Sequence, residues 1–309
     1  MFFDNMLIAA QQVAMLYCVV IVGYFGDKSK LFTEDTARKI TSLLLYIVVP
    51  FVIINSFSNI ERTDETVKRF FISLLLAFAT HIIAIIINIP FFKKDKNELN
   101  PIFKYASIYG NVGYMALPLA AALLGDEGVF YCSSGIIAFY IFVFTHGAAV
   151  MSKEKEEINV KKVLLNPGLI GVAIGLPMFL LDINLPSILV EPVSMMSSLN
   201  TPLGMLIFGT YLANTDLKTM FTEKRIYLVA LIKLLIVPLV CVGVYSLCGI
   251  TGTLLTACAL TAAVPCASNT FMFAAQYGRD TGVASKTTAL VSFISILTLP
   301  LIIAIAQSI

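Results

Sequence analysis

Two stretches carry residue types able to hold a ligand: Tyr109-Gly-Asn-Val-Gly-Tyr-Met-Ala-Leu-Pro118 and Ala262-Ala-Val-Pro-Cys-Ala-Ser-Asn-Thr270. Each interrupts a long apolar run with residues that break a helix. Gly110, Asn111 and Gly113 precede Pro118, and Pro265 precedes Ser268, Asn269 and Thr270. Proline removes one backbone donor and its ring clashes with the preceding turn, so nearby carbonyls and amides lose their intrahelical partners. In lipid such freed groups are tolerated only where they are buried in protein or line a water-filled cavity. A half-helix that starts at the break presents free N–H groups and about half a positive charge, which suits a carboxylate. The expected substrate site is therefore Asn111, Gly113, Pro118, Pro265, Ser268, Asn269 and Thr270. Either motif alone also reads as a proline kink with a structural asparagine; their recurrence in both halves of the chain favours a site.

Three further residues are candidates for coupling or support. His81 lies near the middle of an apolar run, where an ionisable side chain points to function, and it reads either as a proton carrier or as a neutral imidazole bonded to a neighbouring helix. His146, nearer the end of its run, is a weaker candidate beside these three. Lys233 follows Arg225 by eight residues, or about 12 Å of helix. Its ammonium either snorkels to the interface or helps to hold an anion or organise the site. Asn200, beside Pro202, is the third. None of the 19 Asp and Glu residues falls near the centre of an apolar run, which leaves a coupling proton, a sodium ion or neither open. No cofactor or metal is expected: HExxH is absent, two separated histidines give no metal spacing, and the six cysteines read as small buried apolar side chains. An intramembrane enzyme finds no support in these patterns.

Elements that position such residues must lie in a membrane. The mean hydropathy is +0.89, with 58% hydrophobic and 13% charged residues, against about 25% charged in a soluble domain. The net charge of +2 is spread over loops and argues for no nucleic-acid partner. At about 20 residues per span, 309 residues make one all-α integral membrane unit with the lipid bilayer as its surroundings. Apolar runs predict ten spans, near 6–25, 40–58, 69–91, 102–124, 128–151, 163–181, 190–213, 226–247, 252–276 and 283–306. The first has no basic residue before it and no cleavage pattern after it, so it reads as a span rather than a secretory signal. Loops after odd-numbered spans carry 4, 4, 4, 3 and 2 Lys or Arg, while the opposite side carries 3, all in the second loop. By the positive-inside rule the odd loops are cytoplasmic and both termini lie outside.

The polar run Ser152 to Lys162 divides the chain into a first unit, 1–151, and a second, 163–309, of five spans each. Pro50 matches Pro202, Lys68-Arg69 match Lys224-Arg225, and Pro118 matches Pro265, at offsets of 152, 156 and 147. An odd number of spans per unit places the second copy upside down, the inverted repeat found in many secondary transporters. A channel or ligand-sensing receptor is the alternative, since broken helices also line pores.

Taken in order, Asn111-Val-Gly with Pro118, Asn200-Thr-Pro202-Leu-Gly, Lys233-Leu-Leu-Ile-Val-Pro238 and Val264-Pro265 followed by Gln276-Tyr-Gly resemble the auxin efflux carrier family, including its bacterial malonate and malate permeases. The resemblance runs over essentially the whole chain. It implies that the fourth and ninth spans cross near the midplane, with Asn111, Pro118 and Pro265 meeting the substrate carboxylate. It further implies a scaffold of spans one, two, six and seven, with spans 3–5 and 8–10 as a transport domain that moves like an elevator. A homodimer through the scaffold and a bacterial inner-membrane location follow from the same likeness. The long central loop of plant members is absent here, which argues against auxin as the substrate.

Overall fold

The computed structural model describes residues 2–93, 97–152, 167–214, 221–267 and 269–309; most of the central polar run and Ser268 lie outside them. Apart from one isolated bridge, every regular element among the described residues is helical. In chain order these are α1 (Phe2–Lys28), α2 (Glu34–Leu43), α3 (Val49–Ser58), α4 (Asp64–Asn88), α5 (Asn100–Ile108), α6 (Leu117–Phe142), α7 (Ala148–Met151) and α8 (Pro167–Leu180). They continue with α9 (Ser187–Ser198), α10 (Asn200–Ala213), α11 (Lys224–Leu231), α12 (Val237–Leu247), α13 (Gly252–Ala263), α14 (Asn269–Gln276) and α15 (Thr281–Gln307). Five stretches are long and apolar enough to cross a membrane: Asp35–Ser58, Asp64–Asn88, Leu117–Met151, Lys224–Leu247 and Thr281–Gln307. These five, with the shorter apolar helices α8 and α13, make a helical membrane protein.

Polar residues fix where helices begin. The Thr33 hydroxyl accepts from Thr36 N ahead of α2, Thr63 and Thr66 form a reciprocal box ahead of α4, and the Asp280 carboxylate accepts from Val283 N ahead of α15. Each occupies an orphan donor of a first turn. Inside the apolar runs the irregularities fall where the breakers are. α6 is interrupted at Gly125, whose φ of +64° and ψ of −156° turn the chain and divide the predicted run 102–124 from 128–151. The predicted run 190–213 is likewise split at Leu199, between α9 and α10, just ahead of Asn200-Thr-Pro202.

Close backbone approach joins the helices pairwise. A Cβ on Gly209 of α10 would fall on the Val20 carbonyl oxygen of α1, and one on Gly23 of α1 would fall on the Leu206 carbonyl oxygen of α10. Small residues at such crossings are the usual device of membrane helices, which have no hydrophobic force to drive them together. A second knot is aromatic: Phe57 of α3 lies 5.3 Å from Phe70 of α4 and 5.1 Å from Phe130 of α6, and Phe130 lies 5.0 Å from Phe179 of α8. Beside it, the Asn59 amide donates to the Asp126 carboxylate at 2.9 Å and the Ser56 hydroxyl to the Asp126 carbonyl at 3.1 Å. This knot ties the turn at Gly125 to the end of α3.

Candidate functional site

The two breaks predicted from glycine, asparagine and proline meet. α5 ends at Ile108 and α13 at Ala263, and the released strands cross as an antiparallel bridge between Gly110 and Cys266. Asn111 N donates to Pro265 O at 2.8 Å, and Ala267 N donates to Tyr109 O at 3.0 Å. Each break thus supplies the partners that the other has lost, which is how unwound backbone survives in an apolar interior. Beyond the bridge the chain re-enters helix through a π turn, Val112–Ala116, ahead of Pro118, and through α14, which opens at Asn269.

Lys233 completes the crossing. It is only 2% exposed, and its Nζ donates to Ala262 O at 2.9 Å, at the C-terminal end of α13. Of the two readings open from the sequence, snorkelling to the interface is ruled out; the ammonium is folded into the break. Its tip stands 2.8 Å from where a Cβ on Gly110 would lie, so a side chain at 110 would have to push the lysine tip aside. Among the described residues it has no carboxylate partner. A lysine here places an amine donor beside the breaks and caps the carbonyl end of α13.

Asn111 is half-buried and lines a small cavity of about 20 Å³ with Thr41, Met115, Gly204, Ile207, Phe208 and Tyr211. Across it, Thr41 Oγ1 and the Tyr211 hydroxyl are 3.3 Å apart. The cavity lies between the crossing and a wall made by α2 and α10, and it is large enough for about one water. Gly113 opens toward free space: a Cβ there meets no atom within 4 Å among the described residues. Pro118 is buried in the first turn of α6 and acts on the backbone, while Pro265 contributes its carbonyl to the bridge. Thr270 is fully buried, and its hydroxyl has no protein partner among the described residues. Asn200 is also buried with an unpartnered Oδ1, one helical turn from Gly204 on the face of α10 that lines the cavity. Ser268 lies outside the described residues.

His81 stands apart from the cavity. Its Nδ1 bonds the Ala77 carbonyl of its own helix at 2.8 Å, and its ring stacks on Phe142 at 5.0 Å and 3°. It is bonded within α4 rather than to a neighbouring helix. Thr41, Tyr211, Ile207 and Phe208 were not singled out from the sequence. The signal available for the α10 members was their spacing, 200, 204, 207, 208 and 211, which is one helix face.

Comparison with known proteins points to membrane transport. A protein of Methanocaldococcus jannaschii named an uncharacterized transporter is 25% identical over 215 residues, covering 67% of this chain and 70% of that one. A protein of Rhizobium meliloti named "Putative malonate transporter" is 22% identical over 293 residues, covering 91% of this chain and 90% of that one. Both names are those of transporters rather than enzymes. The family model described as membrane transport protein matches residues 8–303, which bears out the auxin efflux carrier likeness read from the motifs. With nearly its whole length matched, the chain belongs to the membrane transport protein family.

Proposed function

We propose that this protein is a secondary transporter of small organic anions, mono- or dicarboxylates such as malonate or malate, bound where the two breaks cross. The observation that carries the proposal is the pairing of the breaks at Gly110 and Cys266, with Asn111 lining the cavity and the Lys233 amine bonded into the break. A buried amine, an amide and an unpartnered Thr270 hydroxyl suit a carboxylate. The name of the Rhizobium meliloti relative gives malonate as the first substrate to try.

In this reading ten spans form two inverted five-helix units, 1–151 and 163–309. The scaffold is α1, α2 with α3, α8, and α9 with α10; α4 to α7 and α11 to α15 form the transport domain, which slides as an elevator. The cavity lies between these two groups of helices, which supports alternating access at their boundary. Both termini lie outside, and two copies associate through the scaffold.

Reconstituted vesicles on a solid support, challenged with malonate, malate, lactate and indole-3-acetate, test the reading. The expected result is a saturable current or, for electroneutral exchange, counterflow of labelled acid, lost in Asn111→Ala. Flux unchanged in Asn111→Ala would remove the crossing as the anion site. Conduction without saturation or counterflow would turn the reading to a channel, and ligand binding without flux to a receptor.

A further inference from the structure

Four helical turns among the described residues are widened to π geometry, and three have a local cause. Leu44–Val48, Val112–Ala116 and Ile232–Ile236 end two residues before Pro50, Pro118 and Pro238. The proline ring collides with a carbonyl one turn back and offers no N–H, and an extra residue in that turn relieves both problems. The fourth, Val143–Gly147, has no proline behind it. Instead it carries His146 and Gly147, and both face the tyrosine of the crossing. The Tyr109 hydroxyl lies 2.7 Å from His146 Nδ1 and 3.1 Å from Phe142 O. A Cβ on Gly147 would stand 3.0 Å from the Tyr105 ring and 3.1 Å from the Tyr109 ring. The widened turn therefore seats a tyrosine whose own carbonyl forms one of the two bonds of the bridge.

The contact between Nδ1 and the phenol can be made with Nδ1 bare or with Nδ1 bearing a hydrogen. With His146 neutral and Nδ1 bare, the phenol donates its one hydrogen to Nδ1. With His146 protonated, Nδ1–H donates to the phenol oxygen and the phenol hydrogen turns to the Phe142 carbonyl. Nδ1, the phenol oxygen and the Phe142 carbonyl keep their places in both states. We propose that His146 is the site at which a proton is carried with the organic anion, and that Tyr109 links its charge state to the crossing. The inference rests on the anion-transport reading and names its coupling ion. A proton from the aqueous phase takes up the Nδ1 lone pair as the anion binds, and leaves from it when the anion leaves, so a monocarboxylate crosses without net charge.

The surroundings leave this role to His146. It is half-buried, near the end of its helix, where Arg279 donates to the Met151 and Ser152 carbonyls. The titratable and charged groups packed around the pair are Lys104 and Tyr105 on α5, His81 on α4, Lys233 beside Gly110, Tyr277 at the end of α14, and Arg279. α5, α7 and α14 carry no Asp or Glu, and those of α6 sit at its other end, beside Gly125. His81 has its Nδ1 committed to Ala77 and is enclosed. Histidine is the side chain whose ordinary titration falls between about pH 5 and 8.

Two measurements on the full chain decide the matter. The first needs no substrate: with two histidines in the sequence, ¹⁵N-histidine spectra in nanodiscs separate His146 by comparison with His146→Gln. The expected result is a His146 that changes protonation form within the pH range over which the protein stays folded, and whose Nδ1 signal shifts in Tyr109→Phe. A His146 that stays in one form across that range overturns the proposal, whether or not malonate is the substrate. The second measures malonate in proteoliposomes. His146→Gln should keep exchange at uniform pH and lose accumulation driven by a pH gradient at least tenfold, with Tyr109→Phe losing part of it. Gradient-driven accumulation in His146→Gln equal to the native protein overturns the proposal, while absent exchange in the native protein counts against the anion reading alone.

Discussion

Gly110→Ala is the sharpest test of how the crossing is built, because one methyl group meets three neighbours at once. The added carbon would stand 2.8 Å from Lys233 Nζ, 3.0 Å from Val264 Cγ2 and 3.2 Å from Val264 O. All three fall inside the optimal separation of about 3.5–4.0 Å. The lysine tip is the one flexible neighbour, yet it is tethered to Ala262 O at 2.9 Å, so yielding means breaking that bond. A hydrogen bond from a charged group contributes about 1.5–3 kcal/mol. Residual crowding against Val264 adds about 1–3 kcal/mol, and the two costs overlap because moving the lysine relieves part of the clash. Alanine regains about 0.4–1 kcal/mol by restricting the unfolded chain. The net loss is about 2–4 kcal/mol.

The assay is equilibrium unfolding in mixed micelles, with Gly113→Ala as the matched control. A Cβ at 113 meets open space, so the control should stay within about 0.5 kcal/mol of native. A double-mutant cycle isolates the cause. Once Lys233→Ala has removed both clash and tether, adding Gly110→Ala should cost at least about 1 kcal/mol less than it does in the native background. If Gly110→Ala is as stable as Gly113→Ala, or if the two changes simply add, the lysine is not packed against the crossing and the reasoning fails.

Other perturbations bear on the wall facing the crossing and on the helices that hold it. Tyr211→Phe removes the hydroxyl that pairs with Thr41 across the cavity; with about 0.5–1.5 kcal/mol at stake, half-saturation for the transported acid should rise about 2–10-fold while maximal flux holds. Gly209→Ala drives a carbon into the Val20 carbonyl, which no side-chain motion can relieve; α1 and α10 must part, at about 3 kcal/mol, read as a lowered unfolding midpoint and lost monodispersity. Phe130→Ala empties a fully buried site between Phe57, Phe70 and Phe179; the expected cost is about 3–5 kcal/mol, and an unchanged midpoint would mean that the aromatic knot does not hold the Gly125 turn to α3.

The breaks were legible in the sequence because their cause is local. Glycine, asparagine and proline act on the backbone within one turn, so Gly110 to Pro118 and Pro265 to Thr270 announce unwinding wherever they occur. Facing was not legible. Lys233 sits in a π turn inside the almost wholly apolar run from Ile226 to Leu247, so no hydrophobic stripe tells which side it occupies. Its distance from Arg225 fixes a height in the membrane and nothing about direction. Thr41 and Tyr211 lie 170 residues apart, and Tyr109 and His146 lie 37 apart. Such pairs are made by packing alone. The three π turns ahead of Pro50, Pro118 and Pro238 had a readable cause in proline, whereas the turn at His146 gave no warning, since it is held by a ring from another helix.

Either break alone would be untenable, and that mutual need explains why the chain carries both. Without the strand at Cys266, Asn111 N and Tyr109 O would each face an apolar interior unpaired, at several kcal/mol apiece. Without the strand at Gly110, Pro265 O and Ala267 N would meet the same fate. Two bonds at 2.8 and 3.0 Å remove four such penalties, and Lys233 takes up the next carbonyl, at Ala262. The backbone groups of the bridge are therefore already spoken for. What the crossing still offers a ligand is side-chain chemistry: Asn111 lining the cavity, the Thr270 hydroxyl without a protein partner among the described residues, and the Lys233 amine close behind. It follows that Asn111→Asp, which keeps the backbone bridge and reverses the character of the side chain, should fold like the native protein and lose anion flux at least tenfold. A variant that folds and still transports carboxylates at the native rate would mean that the anion meets the protein elsewhere.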